Sequence, residues 1–342
     1  MLARGFGGAE RSFVDTALAL AERGHEVQAI CQRDFSEKDR LLNRERIRVD
    51  LIKAGGEWDF FAPRRIARLL SDFKSEIVHT QLKRAAWHGG RGAKMVNVPV
   101  VAKLHNYVEL GRYRHMSMLL CTTEDQMRHI KSRGWDMMKA RWLPNFSRLR
   151  PVERIRDGWQ EPLNILSCGR YVEKKGFEYL LRAFAQLLDS GIDARLRIGG
   201  KGEQQAALEE IVKELGIVDK VQLGFWIDDV SEELDRADFF VLPSLDEPFG
   251  IVMLEAMARG VPIVTTKTKG PLEVLSGETA KFAEIGQADS LFRGMREVIL
   301  DPKVAMERSQ AALDLYEAEY YSEAVLPRLE AIYQDVIKSS RN

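Results

Sequence analysis

Two glutamates frame the segment Asp246-Glu247-Pro248-Phe249-Gly250-Ile251-Val252-Met253-Leu254-Glu255. It follows the apolar run Phe239–Pro243, which reads as a strand, and opens a helical run to about Arg259. Pro248 suits a first helical turn, where its missing N–H costs nothing. That reading puts Glu247 just before the helix N-terminus and Glu255 about two turns inside it. A helix N-terminus offers free amides and partial positive charge, which suit a phosphate. A carboxylate at such a mouth can bind sugar hydroxyls, and one further in can hold a ribose. Either acid alone would equally suit a surface turn. The combination with Pro248-Phe249-Gly250 points to a site.

Arg170 and Lys175 stand in Gly169-Arg170-Tyr171-Val172-Glu173-Lys174-Lys175-Gly176, directly after the apolar run Leu163–Cys168. Arg offers a planar fork for phosphate and Lys a compact charge. A leaving diphosphate gains charge as its bond breaks, and cations already in place stabilise it. Two solvated charges in a strand-to-helix loop are the plainer alternative. His105 closes the run Val98–Leu104, at the edge where open α/β sheets bind ligands, and His79 stands similarly in Ile77–Thr80. Either histidine could instead serve only its loop. Phe225 and Trp226 follow Gly224 at a strand end and could stack near a base or pack their loop.

These residues need a scaffold of alternating short strands and amphipathic helices, the pattern of parallel α/β sheets. In the first half, strands are expected at Glu26–Ile30, Ile47–Ile52, Ile77–Thr80, Val98–Leu104, Met118–Thr122 and Arg141–Leu143. In the second half they are expected at Leu163–Cys168, Ala194–Gly199, Val221–Gly224, Phe239–Pro243, Pro262–Thr266 and Ala280–Phe282. A helix over Glu10–Arg23 stops at Gly24, and helical sequence from about Val304 to Ile337 closes the chain. The polar, turn-rich stretch from Pro144 to Glu161 divides the halves. The glycine cluster Gly5-Phe6-Gly7-Gly8 leads into the first helix, where a doubly wound fold keeps its phosphate-facing turn. Such a turn should follow a strand, yet only Met1–Arg4 precede it. The expectation is therefore a first strand cut to a stub, or a natural start upstream of Met1.

The chain has 342 residues, enough for two domains. A hydrophobic share of 45% beside 30% charged residues is that of a folded globular protein. Cys31, Cys121 and Cys168 stand far apart, which fits a reducing compartment and no metal motif. No apolar run approaches a spanning helix. The balance of 51 basic and 51 acidic residues hides an asymmetry: residues 1–150 hold 28 against 17, leaving 23 against 34 for 151–342. A net +11 facing a net −11 suggests an anionic partner for the first half, or attraction between the halves.

Glu247 to Glu255 resembles the Glu-x7-Glu motif of the retaining family-4 glycosyltransferases, which have the GT-B architecture. Gly7-Gly8-Ala9-Glu10-Arg11 is similar to that family's N-terminal glycine loop, and Gly169 to Gly176 to its Arg-plus-Lys diphosphate clamp. Gly199-Gly200-Lys201-Gly202, Val221–Gly224 and Ala258–Val264 agree in character and order, so the resemblance covers nearly the whole chain. It implies two Rossmann-like domains facing across a cleft: residues 1–150 on the acceptor side, 160–305 for the nucleotide sugar, and helices over 306–342 returning to the first. It implies Glu247, Arg170, Lys175 and His105 as catalytic residues. Gly7, Gly8, Glu255, Phe249, Gly250, Phe225 and Gly270 would bind the donor. The family's histidine approaches the donor sugar; here Asn106 follows His105 where many members have Asp. The loop Lys269-Gly270-Pro271 before Glu273 replaces the family's paired glycines.

The implied reaction is transfer of a hexose, with retention, from a nucleoside diphosphate that is expected to be UDP. The acceptor would be a glycan or lipid-linked saccharide, as in lipopolysaccharide or other envelope synthesis. No cofactor or metal is expected, since no Asp-x-Asp pair ends a strand. The aromatic and basic stretches Phe60–Leu70 and Arg112–His115 suit an anionic membrane surface, which gives a cytoplasmic or peripheral location. A UDP-sugar epimerase or a non-catalytic nucleotide-sugar-binding protein would share the architecture. A nucleic-acid partner is disfavoured, because the phosphate motifs sit in the acidic half.

Overall fold

The computed structural model describes every residue except Phe6, Glu57, Gln160, Asp228 and Asn342. Phe6 of the glycine cluster and Gln160 of the dividing stretch thus lie outside the described residues. The chain forms two compact units, Met1–Arg148 with Ser322–Asn342, and Leu149–Tyr321.

The first unit carries α1 (Gly8–Glu22), β1 (Val27–Gln32), β2 (Ile47–Ile52), α2 (Phe61–Phe73), β3 (Val78–Gln81), α3 (Lys83–Met95), β4 (Val100–Leu104), β5 (Met118–Cys121), α4 (Glu124–Ser132) and β6 (Ala140–Trp142). β1 pairs with β2, and β3-β4-β5-β6 form a second sheet, all parallel. Strand alternation sorts the second sheet's two faces. Val100, Ala102, Leu104, Leu119 and Cys121 pack with Ile66 and Leu70 of α2 and Ala86 and Ala93 of α3. Val101, Met118 and Leu120 meet Ala19 and Leu20 of α1 on the other face. Thr123 caps α4 by accepting from the Gln126 amide at 3.2 Å. Met1 to Arg4 form no strand, but the Met1 ammonium donates to the Ile30 carbonyl at 2.7 Å, and the Gln32 amide donates to the Met1 carbonyl.

The second unit carries β7 (Leu163–Cys168), α5 (Phe177–Asp189), β8 (Ala194–Gly199), α6 (Gln205–Glu214), β9 (Val221–Gln222), α7 (Val230–Arg236), β10 (Phe239–Leu242), α8 (Ile251–Ala258), β11 (Ile263–Thr266), α9 (Lys269–Val274), β12 (Lys281–Ala283), α10 (Ala288–Leu300) and α11 (Pro302–Leu315). Its parallel sheet runs β12-β11-β10-β7-β8-β9. Strand order therefore reverses between β7 and β10, the switch point where doubly wound sheets open a crevice. Leu163 and Ile165 pack under Leu180, Leu181 and Phe184 of α5, while Leu166, Phe240 and Leu242 pack under Met253, Leu254 and Met257 of α8.

The helical sequence near the C-terminus is not continuous. α11 ends in a π turn at Tyr316–Tyr320, and α12 (Ser322–Arg341) follows. The expected division at residue 306 accordingly moves. α11 stays with the second unit, and only α12 joins the first, laying Val325, Leu326, Leu329 and Tyr333 on the Val101 face of the sheet. Glu330 anchors it, held down to about 2 chiefly by the Arg23 guanidinium that donates to it.

Candidate active site

The loops after β7 and β10 leave adjacent strands at the switch point, and this adjacency assembles the first part of the site. Lys175 closes a 3-10 turn, Glu173–Lys175, and its Nζ donates to Glu247 Oε2. Ser244 Oγ donates to the same oxygen at 3.3 Å. The Leu245 amide donates to the Lys174 carbonyl at 2.8 Å, binding the two loops backbone to backbone. Gly176 lets them approach so closely. Its φ is +66°, and a Cβ there would strike the Pro243 carbonyl. Arg170 is exposed on the same loop and makes no ion pair among the described residues.

The helix expected to begin at Pro248 begins later. Gly250 is its N-cap, in left-handed conformation at φ +87°, and a right-handed helix cannot start before such a residue. Pro248 therefore lies in the bend, Glu247 precedes the cap by three residues, and Glu255 is the fifth residue of α8. Glu247 is 7% exposed and Glu255 is fully buried at 0%. The Phe249 side chain is buried. It belongs to the core, edge-on to Tyr320 with ring centroids 6.3 Å apart, and supports the bend from beneath. The Gly270 amide donates to the Glu247 carbonyl at 2.8 Å, so α9 braces the same bend.

Phe225 lies beyond β9, which ends at Gln222 rather than Gly224. Its carbonyl accepts from the Gly200 amide at 2.8 Å, and the Arg197 guanidinium lies 4.7 Å from its ring centroid. One face of the ring is thus already occupied by a cation.

In the first unit Gly7 caps α1, its carbonyl accepting from the Arg11 amide at 2.9 Å, and Gly8 opens the helix. His105 follows β4, and its Nε2 lies 2.9 Å from Gln81 Oε1. Burial, then the positive charge of Lys103, hold His105 well below the ordinary histidine range. His79 lies inside β3, its Nδ1 2.6 Å from the Tyr333 hydroxyl, and burial pushes it down to about 3. His79 therefore packs against Tyr333 of α12. Ser244, Gln81, Lys103 and Tyr333 are partners that sequence reading passes over. Only Ser244, three residues before Glu247, carries a local signal.

Residues 6–150 match the family model described as Glycosyltransferase Family 4, and residues 152–314 match Glycosyl transferases group 1. The lipopolysaccharide core biosynthesis glycosyltransferase LpsE of Rhizobium meliloti is 27% identical over 328 residues, 93% of each chain. A glycosyltransferase of Rickettsia africae superposes with a TM-score of 0.84 at 18% identity, over 99% of this chain and 97% of that one. HepE of Anabaena, solved with UDP and glucose, gives 0.82 at 16% identity over 98% of each chain. At such identities the structural likeness shows the fold alone, and it is that of these enzymes.

Proposed function

Because the chain belongs to glycosyltransferase family 4 and has the GT-B fold, we propose that it transfers a hexose, with retention and without a metal, from UDP-sugar to a glycan or lipid-linked acceptor. The observation that carries this reading is the Lys175–Glu247 contact at the sheet's switch point, with Arg170 exposed beside it. An ammonium has three donors, so Lys175 can hold Glu247 and still face a phosphate oxygen. Glu247 binds sugar hydroxyls, and the clamp stabilises the diphosphate as it departs. No side chain stands as a nucleophile in this scheme. The leaving phosphate takes the acceptor's proton, and the acceptor attacks from the same face. An envelope-type acceptor is supported by the likeness to LpsE.

The test is incubation with UDP-, GDP- and ADP-sugars, following nucleoside diphosphate release and labelled sugar in a saccharide or lipid product. Turnover with UDP-sugar, undiminished by a chelator, and a product of unchanged anomeric configuration are expected. Release of UDP without labelled product would identify an epimerase or hydrolase instead.

A further inference from the structure

The loop after β9 leaves its sheet early and is held from elsewhere. β9 is an edge strand, and its ladder with β8 ends where Arg197 pairs with Gln222. Gly224 then takes its left-handed turn, beyond the ladder. Its amide donates to the Tyr171 hydroxyl at 2.9 Å. Tyr171 belongs to the loop after β7, next to Arg170, and is fully buried. Its hydroxyl donates in turn to the Ile198 carbonyl of β8. The phenol thus reaches from the β7 loop, across β8, to the loop of the edge strand, using both its donor and its acceptor. Its backbone is tied to the β8 loop: the Tyr171 amide donates to the Lys201 carbonyl at 2.9 Å, and the Gln204 amide to the Tyr171 carbonyl at 3.0 Å. Gly202 permits this approach, since a Cβ there would strike the Tyr171 backbone. Phe177 lies edge-on to the ring, with centroids 5.5 Å apart. A phenylalanine would fill the same ring volume, so packing does not call for the hydroxyl. The Gly224 bond does.

We propose that Tyr171 is a positioning residue for the donor's base: its hydroxyl fixes the Gly224–Phe225 turn against β8 and so sets the attitude of the Phe225 ring. Every contact in this argument lies within the second unit. The bearing on the reaction rests on the reading that Phe225 meets the donor, and it extends the proposed function to the base. Phe225 is half-buried, and the Arg197 guanidinium lies over one face of its ring. A nucleobase stacks on the other face, in a contact that every base can make because each has a π-face. Stacking depends on the ring's tilt, and the turn that carries the ring has only two anchors outside its own strand. One is the Gly200 amide on the Phe225 carbonyl, and the other is the Tyr171 hydroxyl on the Gly224 amide. Tyr171 therefore links the loop of the diphosphate clamp to the loop that would carry the base.

The experiment compares wild type with Tyr171→Phe and Phe184→Leu. The first removes the hydroxyl and keeps the ring. The second loosens the same core two turns into α5 and keeps the hydroxyl. Fluorotryptophan NMR reads the loop through Trp226, the exposed neighbour of Phe225, with its signal assigned by Trp226→Phe. UDP binding by calorimetry, and donor KM against kcat, read the site. In Tyr171→Phe the Trp226 signal should shift and UDP affinity should fall about tenfold, the scale of one lost hydrogen bond. Donor KM should rise equally, and kcat should stay within about twofold, because the backbone ties of the clamp loop persist. Phe184→Leu should lower the melting temperature and move none of these. A folded Tyr171→Phe with the wild-type Trp226 signal and UDP affinity overturns the proposal, as does an equal loss in Phe184→Leu. Should Tyr171→Phe not fold, amide exchange in wild type labelled at glycine decides: slow exchange at Gly224 supports the bond, and exchange at open-loop rates overturns it. If the Trp226 signal moves and UDP affinity does not, Tyr171 holds the loop and its role toward the base is overturned. If wild type binds no UDP, the donor reading fails, and the Trp226 signal still decides whether Tyr171 holds the loop.

Discussion

Lys175 and Glu247 are separated by 72 residues of sequence, and their contact is what the proposed chemistry rests on. The pair is largely buried, so each charge depends on the other for solvation. Glu247→Gln should therefore leave Lys175 with a weaker acceptor and, under the proposed role, remove a charged bond to the sugar. Loss of one charged hydrogen bond is worth roughly 1.5–3 kcal/mol, or about tenfold to more than a hundredfold in kcat. If Glu255 holds the ribose as the family resemblance implies, Glu255→Gln should instead weaken donor binding by a similar factor. Its burial in α8 means that melting temperature must be followed alongside. Steady-state kinetics with varied donor separate the two effects, and wild-type kcat and KM in both variants would dismiss the assignment. Each of these residues is legible from type and spacing alone, as are Arg170 and His105. The contacts between them are not, because pairing across 72 residues follows from strand order and neither motif encodes that order.

At the scale of elements, β2, β7 and β8 begin and end where the apolar runs predict, since turn-forming residues bound them. β9 is shorter than its run because Gly224 takes a left-handed backbone, at φ +75°, soon after it. The start of α8 was hidden for a similar reason: Pro248 favours a first turn, but Gly250 two residues later decides the backbone. Lys103 defeats pattern reading altogether, because a lysine within an apolar run reads as an outward position. Gly176 offers a test of how the loops cooperate. Gly176→Ala would strain the left-handed backbone and push its Cβ into the Pro243 carbonyl, prising the β7 loop from the β10 loop. Strain of this type costs about 1–3 kcal/mol, or about 2–12 °C of melting temperature for a unit of this size. Turnover should fall by tenfold or so, because a shift of about 1 Å in a positioned group is costly. Calorimetry with donor kinetics checks this. Full activity at a lowered melting temperature would mean that the loops need not be held together.

For the whole molecule, the charge asymmetry survives the return of α12 to the first unit. Without Arg150, and with the three basic and three acidic residues of 322–342, that unit holds 30 against 20, a net +10. The surface around α2 gives this charge a direction. Trp58, Phe60 and Phe61 are 83%, 53% and 66% exposed, and Arg64, Arg65 and Arg68 lie exposed on the helix that follows. Nearby, the guanidinium groups of Arg91, Arg112 and Arg114 lie 4.9–5.1 Å from the Trp87 ring centroid. Exposed aromatics beside arginines suit the interface of an anionic bilayer, where rings enter the headgroup level and guanidinium groups meet phosphate. Among the described residues no helix is long and apolar enough to cross a membrane. Each basic group near an anionic surface contributes about 1 kcal/mol, and salt screens it. Replacing Arg64, Arg65 and Arg68 by Ser should reduce binding to anionic vesicles by about a hundredfold and leave UDP affinity unchanged. Co-sedimentation with anionic and neutral vesicles, at low and high salt, measures it. Equal binding to both lipid types, or to neither, would reassign the positive surface to a soluble acidic acceptor.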